Sequence, residues 1–257
     1  MVRPDAVIVC ISQQHLSAAR QRELAALVAE ASPVAARLVR LEGTGPHLGD
    51  ALDQLVAEGH RTILVQPLGL PFSQSLAAWL PGVLAHWQQD RQRPDVTLLL
   101  GPDQAIADHT IRDIVRAAVT AEAAAPITAE QKPSLGKPGW NQPPPFRHHL
   151  IVCTGPRCHF RGAPNLKLAL NEELARSGLG GECLVATSGC LYPCNQGPLL
   201  AAYPRGEWYR LLDREAVARF VETVIGRGKP IPELIVHRVA PLGATRSDVM
   251  SSKGENQ

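Results

Sequence analysis

The stretch from Ala121 to Arg147, AEAAAPITAEQKPSLGKPGWNQPPPFR, divides this 257-residue chain. Pro126, Pro133, Pro138 and the run Pro143 to Pro145, with Gly136 and Gly139 between them, remove amide donors and restrict φ so often that neither a helix nor a central strand can run through it. A chain interrupted there folds as two units, each long enough to bury a core. Residues 1–120 are therefore read as one domain and 121–147 as a linker, on which Trp140 and Phe146 can still dock. Residues 148–230 are a second domain, and 231–257, ending in SSKGENQ, a disordered tail.

Hydrophobic residues make up 45% and charged residues 19%, a globular balance that excludes a fibrous or wholly disordered chain. No run reaches the roughly 18 to 20 apolar residues of a membrane span, and the start MVRPDAVIVCISQQH turns polar too soon for a signal peptide. No membrane is expected as a partner, and the expected location is cytoplasmic. With 26 Lys+Arg against 24 Asp+Glu the net charge is +2 and no basic cluster stands out, so no nucleic acid is expected either.

Before the linker, short apolar runs alternate with helical periodicities, the pattern of an α/β unit with a parallel sheet. Candidate strands are Ala6 to Ile11, Ala35 to Leu41, Thr62 to Gln66 and Val96 to Leu100. Between them Leu48, Leu52, Leu55 and Val56 make one core-facing stripe, and Leu76, Leu80, Val83, Leu84 and Trp87 a second. A third stripe, Ile106, Ile111, Ile114 and Val115, follows Asp103, a plausible N-cap. Trp79 and Trp87 read as core residues. After the linker the expected order is βαββα, a smaller α+β unit: strand His149 to Val152, helix Pro164 to Arg176, strand Cys183 to Thr187, a hairpin of Leu199 to Tyr203 with Trp208 to Leu212, and a last helix capped by Asp213.

Of six cysteines, Cys10 stands alone and the other five lie between 153 and 194. Cys153 and Cys158 are separated by four residues, Cys190 and Cys194 by three, and each pair follows a predicted strand. Two loops converging at one sheet edge would bring four thiolates to one metal centre. Structural zinc prefers tighter C-x2-C knuckles, a disulfide is disfavoured in the cytoplasm, and a Rieske centre needs a second histidine to match His159. An iron–sulfur cluster is the best fit, with zinc second. Cys183, inside a strand, is expected to be a small buried residue. Arg157 could offset the cluster's negative charge and attract an acidic redox partner. Gly155, Gly189 and Gly197 would let amide groups approach the sulfurs.

CTGPRCHFRGA (Cys153 to Ala163), SGCLYPCNQGP (Ser188 to Pro198) and YPRGEWY before the last helix resemble the thioredoxin-like, or Shethna-type, [2Fe-2S] ferredoxins over residues 148–230. That resemblance implies a thioredoxin-like α+β fold, one [2Fe-2S] cluster ligated by Cys153, Cys158, Cys190 and Cys194, and electron transfer with a redox partner protein.

The run RLVRLEGTGPHLGDALDQLVAEGHRTILVQPLGL, Arg37 to Leu70, resembles the CbiX/SirB sirohydrochlorin chelatases, with Leu41-Glu42, Pro46, Gly59, Pro67 and Pro81 in matching places. That family carries one metal-handling histidine after its first strand and another after its third; here the positions hold Ser12, followed by Gln13, and Ser75. A serine hydroxyl is a poor substitute for an imidazole toward divalent metals. His15 and Glu42 are the candidate replacements, with His47 nearby in sequence, although surface or capping roles suit the histidines better. The expected fold class is thus a parallel-sheet chelatase-like domain followed by a smaller thioredoxin-like α+β domain. The expected function is a ferredoxin joined to a chelatase-like unit that serves tetrapyrrole or cobalamin-type metabolism, with a tetrapyrrole as ligand and a homodimer as a further option. The alternative is an active sirohydrochlorin chelatase carrying a redox cluster.

Overall fold

The computed structural model describes residues 3–13, 16–43, 45–70, 72–102, 104–120, 139 and 141–240. Asp103, His15, Trp140 and the last residues of the expected tail lie outside them. Contacts divide the chain into two compact units, Met1–Pro144 with Thr154–Phe160, and Pro145–Cys153 with Arg161–Gln257. The division falls within the expected linker, but the grouping of Thr154–Phe160 with the first unit departs from a boundary at 148.

In the first unit β1 (Ala6–Ile11), β2 (Ala35–Arg40), β3 (Thr62–Leu68) and β4 (Thr97–Leu100) form a wholly parallel sheet in the order β2-β1-β3-β4. Four helices follow the strands in turn: α1 (Ala18–Ala31), α2 (Leu48–Ala57), α3 (Gln74–Asp90) and α4 (Gln104–Thr120). The short helix α5 (Pro156–Phe160) is grouped with them by its contacts. Ala6 lies level with Ile63, and Ile8 with Val65, so the inward rows of adjacent strands coincide. Leu52 and Leu55 of α2 and Leu80, Leu84 and Trp87 of α3 close over this face, as their spacing predicts. Trp87 also donates its indole N–H to Asp53 at 3.0 Å. Trp79 is only partly buried against the core. The sequence reading did not locate α1, and the reason is physical: none of its residues is buried, so no apolar stripe marks it. It exists because two parallel neighbours need a crossover, and Ser17 caps its start by accepting the Arg20 amide at 3.2 Å.

The second unit contains β5 (His148–Cys153), α6 (Ala163–Arg176), β6 (Cys183–Ser188), β7 (Leu199–Tyr203), β8 (Glu207–Arg210), α7 (Arg214–Phe220) continuing as a π-helical turn over Val221–Gly226, and β9 (Ile235–Arg238). Its mixed sheet has the order β6-β5-β7-β8-β9, parallel between β5 and β6 and antiparallel elsewhere. Leu166, Leu170 and Leu174 of α6 and Val217, Phe220, Val221 and Val224 of the last helix bury against Leu150, Val152, Leu200 and Tyr209. Asp213 accepts the Ala216 amide at 2.8 Å and caps α7 as expected. This is an α+β arrangement, a mixed sheet packed with helices, following the parallel-sheet unit.

Two expectations need correction. The segment from 231 onward was expected to be a tail, yet Ile231 is buried, Pro232–Leu234 makes a tight turn and β9 pairs with β8, with Trp208 opposite His237. The strand is short and half-buried, too brief to register as a periodicity. β8 also begins at Glu207 rather than Trp208, because the Glu207 carboxylate turns inward to three donors. Ending the chain after Lys229 should remove about 1.5 to 3 kcal/mol of apolar burial at Ile231 alone and lower the thermal midpoint of this unit by about 5 °C or more. An unchanged midpoint would show that β9 adds nothing.

Candidate metal centre

Cys153 is the last residue of β5 and lies across from Ser188, the last residue of β6. Because these strands are parallel, the chain leaves both at the same end of the sheet, and Cys153 emerges beside the loop that carries Cys190 and Cys194. The Cys153 thiol lies 3.3 Å from the Gly189 carbonyl oxygen. The sulfurs of Cys190 and Cys194 are 2.9 Å apart. None of the six cysteines is in a disulfide; Cys153 and Cys158 are buried and Cys190 is exposed. Among the described residues no three His, Cys, Asp or Glu side chains form a finished metal cage. The second unit therefore supplies a thiol pair with a third thiol anchored to the same loop.

That loop is held from several sides. Cys194–Gln196 forms a 3-10 turn, the Gly197 amide donates to the Cys194 carbonyl at 3.4 Å, and Gly197 and Pro198 are buried. The Arg161 guanidinium also donates to the Cys194 carbonyl. Tyr192, between the two cysteines, has φ +51, a left-handed conformation that costs a side-chain-bearing residue about 1 to 2 kcal/mol. Gly189 contributes a carbonyl to the Cys153 thiol, where an amide had been expected.

Cys158 is buried on α5, whose first turn is closed by the His159 amide donating to Gly155 at 2.8 Å. Burial, followed by the charges of His47 and Arg40, depresses the pKa of His159 to about 3, so its imidazole is neutral near pH 7. Cys183 opens β6 half-buried, not fully buried as expected, and burial followed by Glu182 raises its thiol to about 11. Cys10 is fully buried and pushed far up by desolvation. Neither offers a ready thiolate.

In the first unit the Ser12 hydroxyl donates to the Glu42 carboxylate at 2.8 Å, joining the carboxyl ends of β1 and β2. Ser75 pairs with Ser73 at 3.0 Å. His47 caps α2, its Nδ1 accepting the Asp50 amide at 3.3 Å, and its pKa is lowered chiefly by burial, against the raising effect of Asp50. Arg40, only 1% exposed, donates to the Gln13 carbonyl, and burial lowers its pKa. The candidate His15 lies outside the described residues.

Soft thiol donors drawn from two sheet-end loops suit iron–sulfur or zinc binding, and the cysteine set of this chain fits such a group. No family model matches the chain. It is 31% identical over 96 residues to the 2Fe-2S ferredoxin of Clostridium pasteurianum, a match spanning 34% of this chain and 94% of that protein. It is 28% identical over 104 residues to the 2Fe-2S ferredoxin of Aquifex aeolicus, spanning 37% and 94%. The solved thioredoxin-like [2Fe-2S] ferredoxin from Aquifex aeolicus covers 39% of this chain and 99% of its own, at 27% identity and TM-score 0.35. A putative cobalamin biosynthesis CbiX protein from Marinobacter aquaeolei VT8 covers 46% and 96%, at 20% identity and TM-score 0.37. The chain belongs, through about a third of its length, to the 2Fe-2S ferredoxins, proteins that carry one [2Fe-2S] cluster and transfer electrons to redox partners.

Sequence reasoning weighed Arg157 and passed over Arg161 and Tyr192. The available signal was the absence of any Asp or Glu from Thr154 to Asn171 and from Cys183 to Gly206, which leaves Arg157 and Arg161 as the charges of the first loop and none on the second, Ser188 to Pro198.

Proposed function

We propose that the C-terminal half of the chain binds one [2Fe-2S] cluster through Cys153, Cys158, Cys190 and Cys194 and serves as a one-electron carrier for a redox partner protein. The observation that carries this reading is the Cys190 and Cys194 thiol pair, 2.9 Å apart, on the loop whose Gly189 carbonyl meets the Cys153 thiol at the end of β5. When bound, the cluster supplies reversible one-electron chemistry. The chain supplies the thiolates, holds the Cys190 to Cys194 loop through Arg161 and Gly197, and buries Cys153 and Cys158 away from water. Ligation, hydrogen bonding and burial are the means by which a protein sets a cluster's potential.

The proposal extends to the N-terminal unit as a chelatase-like domain of tetrapyrrole or cobalamin-type metabolism, in the cytoplasm. Support comes from its β2-β1-β3-β4 order, which opens a crevice outside the carboxyl ends of β1 and β3 where ligands of open α/β sheets bind. No helix among the described residues is long and apolar enough to cross a membrane. A tetrapyrrole ligand and a homodimer remain part of this proposal, and metal insertion into sirohydrochlorin is its alternative.

Anaerobically purified protein should contain iron and acid-labile sulfide in equal amounts, absorb in the visible, bleach with dithionite and give an EPR signal on reduction. A colourless protein with stoichiometric zinc would overturn the cluster reading. Turnover of sirohydrochlorin with cobalt(II) or iron(II) would favour the alternative for the first unit.

A further inference from the structure

We propose that the Cys190 to Cys194 loop, with the exposed Tyr192 on it and the Arg161 guanidinium bonded to its Cys194 carbonyl, is the docking surface for a redox protein with an acidic face. The inference rests on the electron-carrier reading above and says where and with what charge the partner meets this chain.

Charge is the first observation. In the second unit Arg147, Arg176, Arg205, Arg214, Arg219, Arg227 and Arg238 each have a carboxylate partner. Arg161 and Arg210 are exposed and, among the described residues, lie in no ion pair; of these two it is Arg161 that is fixed at the cysteine loop, donating to the main-chain carbonyl of Cys194. No Asp or Glu occurs from Arg161 to Asn171 or from Cys183 to Gly206, so nothing within either segment offsets that cation. An un-neutralised guanidinium fixed to the backbone of a cluster-loop cysteine attracts negative charge to this loop, and such complementarity acts mainly on association rate.

Tyr192 is the second observation. The residue is 72% exposed, and it holds φ +51, which a glycine would adopt freely. Packing within the unit does not account for an aromatic ring left in solvent on a strained backbone two residues from both Cys190 and Cys194. An exposed tyrosine on this loop and an exposed arginine bonded to its Cys194 carbonyl are the residue types over-represented among interface hot spots.

The test uses the full chain with its cluster loaded, and fully reduced flavodoxin, an acidic carrier, as the donor. One electron leaves the flavin, which is oxidised, and one enters the cluster, which is reduced. Arg161→Glu should slow this transfer about tenfold at low ionic strength, with the difference shrinking as salt is added. Transfer from the reduced cluster to cytochrome c, a basic acceptor, should become faster in the same variant. Tyr192→Asn, which keeps a residue tolerant of positive φ, should slow transfer from flavodoxin with little salt dependence. Arg227→Glu changes net charge equally on the last helix and should leave the rate near wild type. If Arg161→Glu loses its cluster, Arg161→Gln takes its place and should give a smaller slowing of the same sign. A wild type without cluster would fell the electron-carrier reading and this inference with it. An intact cluster with unchanged flavodoxin rates in the Arg161 and Tyr192 variants, or equal slowing by Arg161→Glu and Arg227→Glu, would overturn the docking surface alone.

Discussion

Cys190→Ala and Cys158→Ala are each expected to lower the iron and sulfide bound per chain by more than about tenfold, because removal of one ligand does more harm than loss of a supporting hydrogen bond, itself worth about 10- to 100-fold in metal affinity. Cys183→Ala and Cys10→Ala should leave the visible spectrum as in wild type. The contrast follows from position. Cys190 lies exposed on the loop where its sulfur meets that of Cys194 at 2.9 Å, whereas Cys183 begins a strand with its thiol raised to about 11, and Cys10 is sealed in the first unit's core. A serine at 190 would retain an oxygen, a harder donor, and should shift the spectrum rather than abolish it. Metal binding is coupled to folding in small domains, so the alanine variants should also show faster proteolysis of the second unit. Equal loss of iron in the Cys183 and Cys190 variants would refute the ligand set.

Glu207→Ala is expected to destabilise the second unit by about 2 to 4 kcal/mol. Glu207 is only 4% exposed, and its carboxylate accepts from Arg205 Nε at 2.8 Å, the Tyr209 hydroxyl at 2.5 Å and Arg238 Nε at 3.3 Å. Its removal leaves the fully buried Tyr209 hydroxyl without its acceptor. The two arginines reach solvent, which keeps the cost below that of a wholly buried pair. Burial pushes the Glu207 carboxyl up, but hydrogen bonds from Arg205 and Tyr209 outweigh it and the net shift is downward. Tyr209 is raised, first by burial and then by its bond to Glu207. A carboxylate lowered on folding stabilises the native state fully above its unfolded pKa, near 4.3, and that contribution disappears as pH falls through the lower, folded value. Urea denaturation should therefore show the full gap between wild type and Glu207→Ala at pH 7 and a narrowing gap below about pH 4. A variant within about 0.5 kcal/mol of wild type at pH 7 would show that the carboxylate holds nothing together.

Much of the architecture was legible in the residues because burial imposes periodicity. The stripes at Leu48 to Val56 and Leu76 to Trp87 became α2 and α3, and the β-branched runs became the four strands of the first sheet. The third stripe also marked a real helix, α4, but Ile114 and Val115 stay exposed there rather than facing a core, and other elements without a buried stripe were illegible. α1 buries none of its residues, α5 is a five-residue helix, and β9 is a four-residue strand recruited by the edge of β8.

The candidate centre divides along the same line. Cysteine spacing and the flanking glycines and prolines are local properties, so the residue types and the loops that carry the thiols could be read directly from the chain. Tertiary structure alone decided that β5 and β6 run parallel with Cys153 opposite Ser188, since strand direction and register depend on partners distant in sequence. It also decided that Arg161 reaches the Cys194 carbonyl across 33 positions while its neighbours in the unit pair with carboxylates. Spacing along a chain specifies which groups are available; only the packing of the sheet and its helices determines which of them meet.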